Sequence, residues 1–304
     1  MGADLWRSGR PFWTYSRVHQ ELFVEDPVIQ RLNSTPEPYR VLQLPPDIYP
    51  YPGSSLMAFG IPQLLGHHGN ELHSFDELFG GKNRWSYLRS MKLWDLFAIN
   101  QVLLPAGVEL AEQLPGFSGM FDSSLTGALT SSGVRTDLYV RRDPAPYARL
   151  VPGAAKVTDE QAIAAILDPR IDLYRVVLIA PEALLEPPPL TEVPEPLLVD
   201  VVFDEWEPGH MRMHFSQPAP RNAMLVVSEN WYPDWKARVN DVPAPVIRGN
   251  VSLITVPVPA GTDRVELTFD SADYRLGRAI SFVGLAIVVA GVVIPVVRRR
   301  RSRG

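Results

Sequence analysis

The spacing of apolar and polar residues divides the chain into two parts with different periods. Between residues 36 and 186, segments with helical spacing alternate with short apolar runs, which is typical of mixed α/β structure. Ser74 with Glu77 and Thr158 with Gln161 have capping-box spacing, and each pair predicts the start of a short helix. The other predicted elements of this part are a buried helix at 88–99 and strands at 39–44, 102–104, 138–141 and 174–179.

From residue 197 onward the period changes to that of short strands. Segments of strand composition recur about every 8–13 residues, separated by turn signals such as Asn240-Asp241 and Gly261-Thr262. This spacing predicts an antiparallel β-sandwich over residues 197–276. The predicted strands are 197–203, 211–215, 223–228, 236–239, 244–247, 251–256 and 264–269. Residues 187–196 contain five prolines and predict a stiff linker between the two parts, so the expected fold class is α+β.

The C-terminal segment has the pattern of a membrane span. Residues 279–297 carry no charge, and these 19 residues approach the roughly 20 that a helix needs to cross the hydrocarbon core. We therefore predict a transmembrane helix over 277–297. Five arginines follow in the tail 298–304. Positive flanks of a span stay in the cytoplasm. We therefore expect the chain in the cell membrane, with the tail on the cytoplasmic side and residues 1–276 on the extracytoplasmic side.

Residues 1–35 predict an amphipathic, aromatic lead-in. Trp6, Phe12, Trp13 and Tyr15 suit either packing on the domain or a membrane interface. The segment lacks the apolar run of a secretory signal. A large acidic domain would then have to cross the membrane without an upstream segment that initiates its translocation. The expectation is that an earlier transmembrane region is missing, and that the chain is the C-terminal piece of a multi-span protein or acts with a membrane partner.

Charge and composition narrow the function classes. Without the five tail arginines, 24 basic residues face 34 acidic ones, which argues against a nucleic-acid partner. The absence of cysteine excludes a thiolate metal site and a cysteine nucleophile. The sequence contains no phosphate-binding glycine loop, dinucleotide fingerprint, nucleophile elbow or zinc-protease motif. We therefore predict no catalytic residue, no cofactor and no metal site.

The aromatic residues at the start of one predicted strand are a candidate glycan contact. Trp231, Tyr232 and Trp235 lie within five positions of one another. Exposed rings of this kind stack on sugars, whereas buried rings pack at the edge of a sandwich and bury large apolar areas. Both interpretations remain open for these three residues.

Two polar clusters are weaker candidates. The first is a histidine group in a glycine-rich loop, whose ligand types suit zinc but whose spacing matches no metal motif. It comprises His67, His68, His73, Asp76 and Glu77. The second cluster lies on a predicted turn between strands and contains carboxylates, the groups that glycoside hydrolysis uses. It comprises Asp204, Glu205, Glu207 and His210.

Four features of the C-terminal part form a specific motif: the run Tyr232-Pro233-x-Trp235-Lys236-Ala237, a following hairpin, the turn Val258-Pro259-Ala260-Gly261, and Tyr274-x-Leu276-Gly277 before the span. With these features the chain resembles the YfhO family of bacterial membrane proteins, and the resemblance covers most of the chain. Residues 38–72 and 137–178 are similar to upstream parts of the same family. Two turns depart from the family pattern, because Asp234 replaces a glycine and Asn240-Asp241 replaces Asp-Gly.

The resemblance implies a function in the cell envelope. The family is similar to polytopic glycosyltransferases that use polyprenyl-phosphate sugars and modify cell-envelope glycopolymers. Their catalytic acid lies in an early extracytoplasmic loop that has no counterpart here, so this chain is expected to be a non-catalytic extracytoplasmic module and last membrane span. An envelope glycan or lipid-linked sugar is the implied ligand. Two alternatives stay open: a stand-alone membrane-anchored carbohydrate-binding or envelope-interaction protein, and an enzyme active in this chain.

Overall fold

Two units make up the chain, Met1–Tyr147 and Ala148–Gly304, here called the N-terminal and C-terminal units. Each unit has its own buried apolar residues. The computed structural model describes residues 6–8, 10–12, 23–36, 38–44, 49–66, 72–82, 84–110 and 114–301, except for the side chains of Phe12 and residues 292–301.

The N-terminal unit is built on a four-stranded sheet. Its elements are α1 (Pro27–Asn33), β1 (Arg40–Gln43), α2 (His73–Leu78), α3 (Met91–Leu96), β2 (Ile99–Pro105), α4 (Phe117–Met120), β3 (Phe121–Leu129) and β4 (Arg135–Arg141), with 3-10 turns at Arg10–Phe12 and Ser55–Phe59. The sheet order is β1-β2-β4-β3. β1 and β2 are parallel, and the other neighbouring pairs are antiparallel.

The buried carboxylate of Asp26 fixes α1 in the N-terminal unit. Its Oδ1 accepts the backbone N–H groups of Val28 and Ile29, each at 3.0 Å, which caps the helix. The Tyr51 hydroxyl donates to the same oxygen at 2.7 Å, and the backbone N–H of Ser131 donates to Oδ2 at 2.7 Å. α1 therefore belongs to the core, although the sequence pattern places residues 1–35 in a lead-in. Trp13 and Tyr15 lie outside the described residues.

The C-terminal unit contains two sheets. Its elements are β5 (Ala148–Val151), β6 (Gly153–Lys156), α5 (Asp159–Leu167), β7 (Val176–Ile179), β8 (Val201–Glu207), β9 (His210–Phe215), β10 (Ala223–Asn230), β11 (Trp235–Val239), β12 (Val242–Ala244), β13 (Ile247–Gly249), β14 (Leu253–Val258), β15 (Arg264–Phe269) and α6 (Ala272–Arg301). A six-stranded sheet has the order β5-β10-β14-β13-β7-β6, and a five-stranded sheet has the order β12-β11-β15-β9-β8.

The burial of side chains differs between the two sheets. In β9 of the five-stranded sheet, Met211, Met213 and Phe215 are buried and alternate with more exposed polar residues, so one face of the sheet meets solvent. In β10 and β14 of the six-stranded sheet, buried residues are nearly continuous, which indicates that both faces are covered. The chain combines helices with largely antiparallel sheets and has one apolar C-terminal helix. This confirms the predicted α+β class.

The boundary between the units differs from the predicted domain limits. β6 and β7 are parallel neighbours joined by α5, which begins at the predicted capping box of Thr158 and Gln161. The alternation of strand, helix and strand contributes to the predicted mixed α/β domain over 36–186. In the structure, however, β6 and β7 lie at one end of the six-stranded sheet of the C-terminal unit. The division therefore lies after Tyr147, and the proline-rich residues 187–196 connect two parts of one unit.

Three local features also differ from the sequence pattern. α2 begins at His73 with Leu72 as its N-cap, so Ser74 lies inside the helix and does not cap it. The predicted helix at 88–99 is shortened to α3, because Ala98 adopts a positive φ of 53° and Ile99 begins β2. β3 was not predicted, since its burial does not alternate with period two.

Candidate functional site

The C-terminal helix α6 has the properties of a membrane span. Its first 20 residues, Ala272–Gly291, are long and apolar enough to cross a bilayer, and none of this stretch is buried against the rest of the chain. Ile280, Phe282 and Leu285 are each about 60% exposed. A helix that is apolar around its circumference needs a lipid or protein environment. The helix begins earlier than the predicted 277 and continues as far as Arg301.

Asp270 connects the sandwich to this helix. β15 ends at Phe269 and α6 begins at Ala272. The Lys236 ammonium donates to Asp270 Oδ2 at 2.5 Å, and Arg275 in the first turn of α6 pairs with Oδ1. One carboxylate therefore binds a side chain of β11 and a side chain of α6, and it fixes the start of the helix against the sheet.

Tyr232, Trp235 and Phe269 form an aromatic group beside this connection, here called the junction cluster. The ring centroids of Trp235 and Phe269 are 5.5 Å apart, and those of Tyr232 and Phe269 are 6.0 Å apart. Tyr232 is 47% exposed and Phe269 40% exposed, while Trp235 is half-buried. Phe269 was missed from sequence, although the pairing of β11 with β15 places it opposite Trp235.

The junction cluster does not form one flat platform. Its rings meet at interplanar angles of 54° and 66°. Trp231 is not part of it: its backbone N–H donates to Ser252 O at 2.7 Å, and its indole N–H points to Val246 O at 3.4 Å. An exposed Tyr with a half-buried Trp beside the first turn of an apolar helix is the composition of a membrane–water interface. The sugar-stacking interpretation of these three residues stays a prediction.

The acidic cluster of β8 and β9 lies on the solvent face of the five-stranded sheet. His210 lies between two carboxylates, with Nδ1 3.1 Å from Glu205 Oε1 and Nε2 3.0 Å from Glu266 Oε1. The hydrogen bond with Glu266 is the largest of the effects that raise the His210 pKa above its usual value. Asp204 pairs with His214 at 2.7 Å. These carboxylates make cross-strand contacts with histidine side chains on the surface of the sheet.

The histidine cluster is only partly described. His67 and His68 lie outside the described residues. His73 is exposed and pairs with Glu77 one helical turn later at 3.1 Å. Among the described residues, no group of three or more His, Cys, Asp or Glu side chains is arranged to hold a metal ion.

A cavity in the N-terminal unit gathers residues that the sequence pattern did not single out. Its volume is about 280 Å³. The polar and aromatic side chains in its lining are Glu109, Phe117, Ser118, Phe121, Asp137 and Tyr139. They come from the segment after β2, from α4 and from β3 and β4, so no local motif announces them.

The wall of the cavity is one side of an aromatic group, here called the inner cluster, formed by Trp94, Phe117, Phe121 and Tyr139. The rings of Phe117 and Phe121 stack at 4.9 Å, and Tyr139 meets Phe117 edge-on at 5.2 Å. Trp94 is fully buried behind both phenylalanines, and its indole N–H donates to Leu88 O at 2.6 Å. Packing therefore holds the wall rigid.

Two carboxylates face the Tyr139 side of the cavity. Asp137 is 7% exposed, and its Oδ1 accepts the backbone N–H of Gly127 at 2.7 Å. Glu109 lies on the exposed rim. Burial, followed by the negative charges of Asp137 and Glu109, raises the pKa of the Tyr139 hydroxyl above its usual value. The hydroxyl therefore stays protonated and able to donate a hydrogen bond at any physiological pH.

Comparison with known proteins gives little overlap. No protein-family model and no curated protein matches the chain, so the YfhO resemblance has no support from these comparisons. Among solved structures, the cryo-EM structure of the arabinofuranosyltransferase AftD from mycobacteria aligns at 25% sequence identity with a TM-score of 0.21. The aligned part covers 23% of this chain and 5% of that chain. This similarity to a membrane glycosyltransferase is weak and partial, and it does not establish a shared fold.

Proposed function

We propose that the chain is a non-catalytic extracytoplasmic module, together with the last membrane span, of a glycosyltransferase-like membrane protein that modifies cell-envelope glycopolymers. The observation that carries this proposal is the connection at Asp270. Only Asp270 and Ser271 separate β15 from α6, and two residues reach at most about 7 Å. With α6 in a bilayer, the C-terminal unit has to stay at the membrane surface.

The orientation follows from charge. The arginine tail 298–304 stays in the cytoplasm by the positive-inside tendency, which places both units outside. The glycosyltransferase context comes from the sequence resemblance of residues 231–261 and their surroundings. Exposed aromatic rings of the junction cluster at the level of the lipid headgroups are consistent with this placement.

The non-catalytic role is supported by what transfer from a lipid-linked donor requires. A lipid groove needs several helices, whereas the described part of the chain has one helix of this kind, and its stretch Ala272–Gly291 is not buried against the rest of the chain. General acid–base catalysis needs a positioned side chain within reach of the reacting atoms. Glu205 is instead paired with Arg212, and Asp204 with His214, on their own sheet face.

The experiment compares the chain with its proposed parent. The chain in lipid nanodiscs should leave a polyprenyl-phosphate sugar unconsumed over hours, while the complete multi-span protein consumes it. Donor consumption is followed by chromatography of the lipid fraction. Turnover by this chain that is lost in Asp204→Asn or Glu207→Gln, and kept in the matched control Glu25→Gln, would overturn the proposal.

The cavity beside the inner cluster favours a second candidate, a stand-alone membrane-anchored carbohydrate-binding protein. A binding site inside the N-terminal unit needs no other chain. Purification from native membranes under mild conditions separates the two: co-migration with a multi-span partner, or a continuous longer product, favours the module. Migration of the chain alone favours the stand-alone protein.

A further inference from the structure

We propose that the cavity beside the inner cluster is a binding site for a single uncharged or amino-substituted sugar residue. Its polar groups include Asp137, Glu109 and the Tyr139 hydroxyl, and its apolar wall includes Phe117 and Phe121. The choice of a saccharide over another polyol rests on the proposed function. The site itself is argued from the groups in the cavity.

The polar groups of the cavity have hydrogen-bonding capacity left for a ligand. Asp137 is more than nine-tenths buried, and one of its oxygens accepts from Gly127. Among the described residues, its second oxygen has no hydrogen-bond partner, and the Tyr139 hydroxyl has none either. Neither atom is among the fully buried polar atoms that lack a partner, so both are open to the cavity. A ligand that brings O–H or N–H groups into the cavity can therefore bind them in place of water.

The apolar wall of the cavity is aromatic. Small-molecule sites combine apolar and aromatic lining with a few placed polar groups. Phe117 and Phe121 supply rings held in place by Trp94, and the carboxylates and the Tyr139 hydroxyl supply two acceptors and one donor. A sugar ring has the matching surfaces, since its C–H faces are apolar and its edge carries hydroxyl groups.

The charge of the cavity disfavours anionic ligands. Among the described residues, neither Asp137 nor Glu109 forms an ion pair with a cation. Two negative groups at one cavity repel a uronate or a sugar phosphate and accept a neutral or ammonium-bearing sugar. A metal ion is a poorer occupant, because no described group of three or more acidic or histidine ligands is present.

The size of the cavity limits the ligand to a small molecule. The volume of about 280 Å³ lies just below the roughly 300–1,000 Å³ range of ligand pockets. One ring fits, and a longer glycan has to leave through the rim near Glu109. The site is therefore expected to recognise a chain end or a single branch of a glycopolymer.

The test measures binding of methyl glycosides to the full chain in detergent by saturation-transfer NMR and calorimetry. The panel contains methyl arabinofuranoside, glucoside, galactoside and mannoside and glucosamine, with glucuronic acid and glucose 6-phosphate as charged probes. At least one uncharged or amino sugar should bind with a dissociation constant on the order of 1 mM. The charged probes should bind at least about tenfold more weakly.

Three variants localise the site. Asp137→Asn and Glu109→Gln should weaken binding by about tenfold or more, and Tyr139→Phe by about fivefold, because each removes a hydrogen-bonding or charged group. Glu25→Gln changes an exposed carboxylate of the same unit outside the cavity and should leave binding unchanged. Circular dichroism confirms that each variant is folded, and Glu109 is exposed enough for its variant to remain so.

Several results would overturn this inference. They are no binding across the panel, equal binding of charged and uncharged probes, binding unaffected by the three variants, or calcium alone binding at the cavity. The proposed function fails on a different readout, an inward-facing N-terminal unit or donor turnover, so the two proposals are distinguishable.

Discussion

The two aromatic clusters are made of the same residue types and occupy opposite environments. The inner cluster contains a fully buried Trp94 and two phenylalanines that are 3% exposed, and it forms the wall of a cavity. The junction cluster exposes Tyr232 and Phe269 beside the start of a helix that is long and apolar enough to span a membrane. Rigid burial around a cavity is what a ligand site needs, whereas exposed rings at the start of a span suit a lipid interface.

This contrast shows why aromatic residues close together in sequence are a poor guide to a ligand site. Trp231, Tyr232 and Trp235 are neighbours in sequence, yet the Trp231 indole points to Val246 O while Tyr232 and Trp235 contact the ring of Phe269. The inner cluster draws on residues from α3, α4, β3 and β4, which only the fold brings together. The predictions below test whether the two clusters differ as their burial implies.

The largest expected effect is that of Trp94→Ala. The side chain is fully buried and contacts both Phe117 and Phe121. Removing a buried Trp costs about 3–5 kcal/mol, and here it also leaves Leu88 O without its donor. The free energy of unfolding of the N-terminal unit, measured with denaturant, should fall by this amount. A loss below about 1 kcal/mol would contradict the burial of the inner cluster.

The matching change in the junction cluster, Trp235→Ala, should cost less. Trp235 is only half-buried, so we expect a loss of about 1–2 kcal/mol from the C-terminal unit. The same unfolding measurement in detergent tests it. If Trp235→Ala destabilises as much as Trp94→Ala does, the two clusters are equivalent in packing and the contrast is wrong.

Asp270→Asn should loosen the connection between the sandwich and α6. The change removes charge from the ion pairs with Lys236 and Arg275, which costs about 1 kcal/mol or less because these groups are partly exposed. The larger consequence is orientational. Because the chain has no cysteine, spin labels at two introduced cysteines, one on β11 and one on α6, report a broader distance distribution in the variant. The exposed Asp263→Asn is the control, and an unchanged distribution would show that Asp270 does not fix the helix.

The smallest expected effect is a pH dependence from His210. Its pKa is raised in the folded state, so its stabilising contribution is fully present below its usual pKa of 6.5 and is lost as pH rises through the higher folded value. The contribution is about 1 kcal/mol or less at this partly exposed site. Unfolding of the C-terminal unit should show this decline, and His210→Gln should flatten it. His73→Gln, in the other unit, should not alter the profile.

The sequence predicted the elements that depend on local pattern. The strand 264–269 has the predicted bounds, and the capping box of Thr158 and Gln161 marks the start of α5. The apolar C-terminal helix was also predicted, because an uncharged run of that length has few other structures. In each case the signal lies in residues that are neighbours along the chain.

Features that depend on distant residues were missed. The parallel pair β6 and β7 has the local pattern of an α/β domain, and only its pairing with later strands places it in the sandwich. The cavity was not predicted for the same reason, since Glu109, Phe117 and Asp137 lie on separate segments of the chain. Asp137 in particular sits in a strand next to buried Leu138, where the pattern gives no hint that its carboxylate reaches a cavity.

The central claim is that α6 anchors the chain in the membrane with both units on the extracytoplasmic side. Labelling of single cysteines introduced into the cysteine-free chain tests it most directly. Thr126→Cys and Thr191→Cys place exposed thiols on the two units, and Ser302→Cys places one in the arginine tail. On intact spheroplasts, a membrane-impermeant maleimide should label the first two variants and label Ser302→Cys only after permeabilisation. Labelling of Ser302→Cys on intact cells, with protection of Thr126→Cys and Thr191→Cys, would contradict the account.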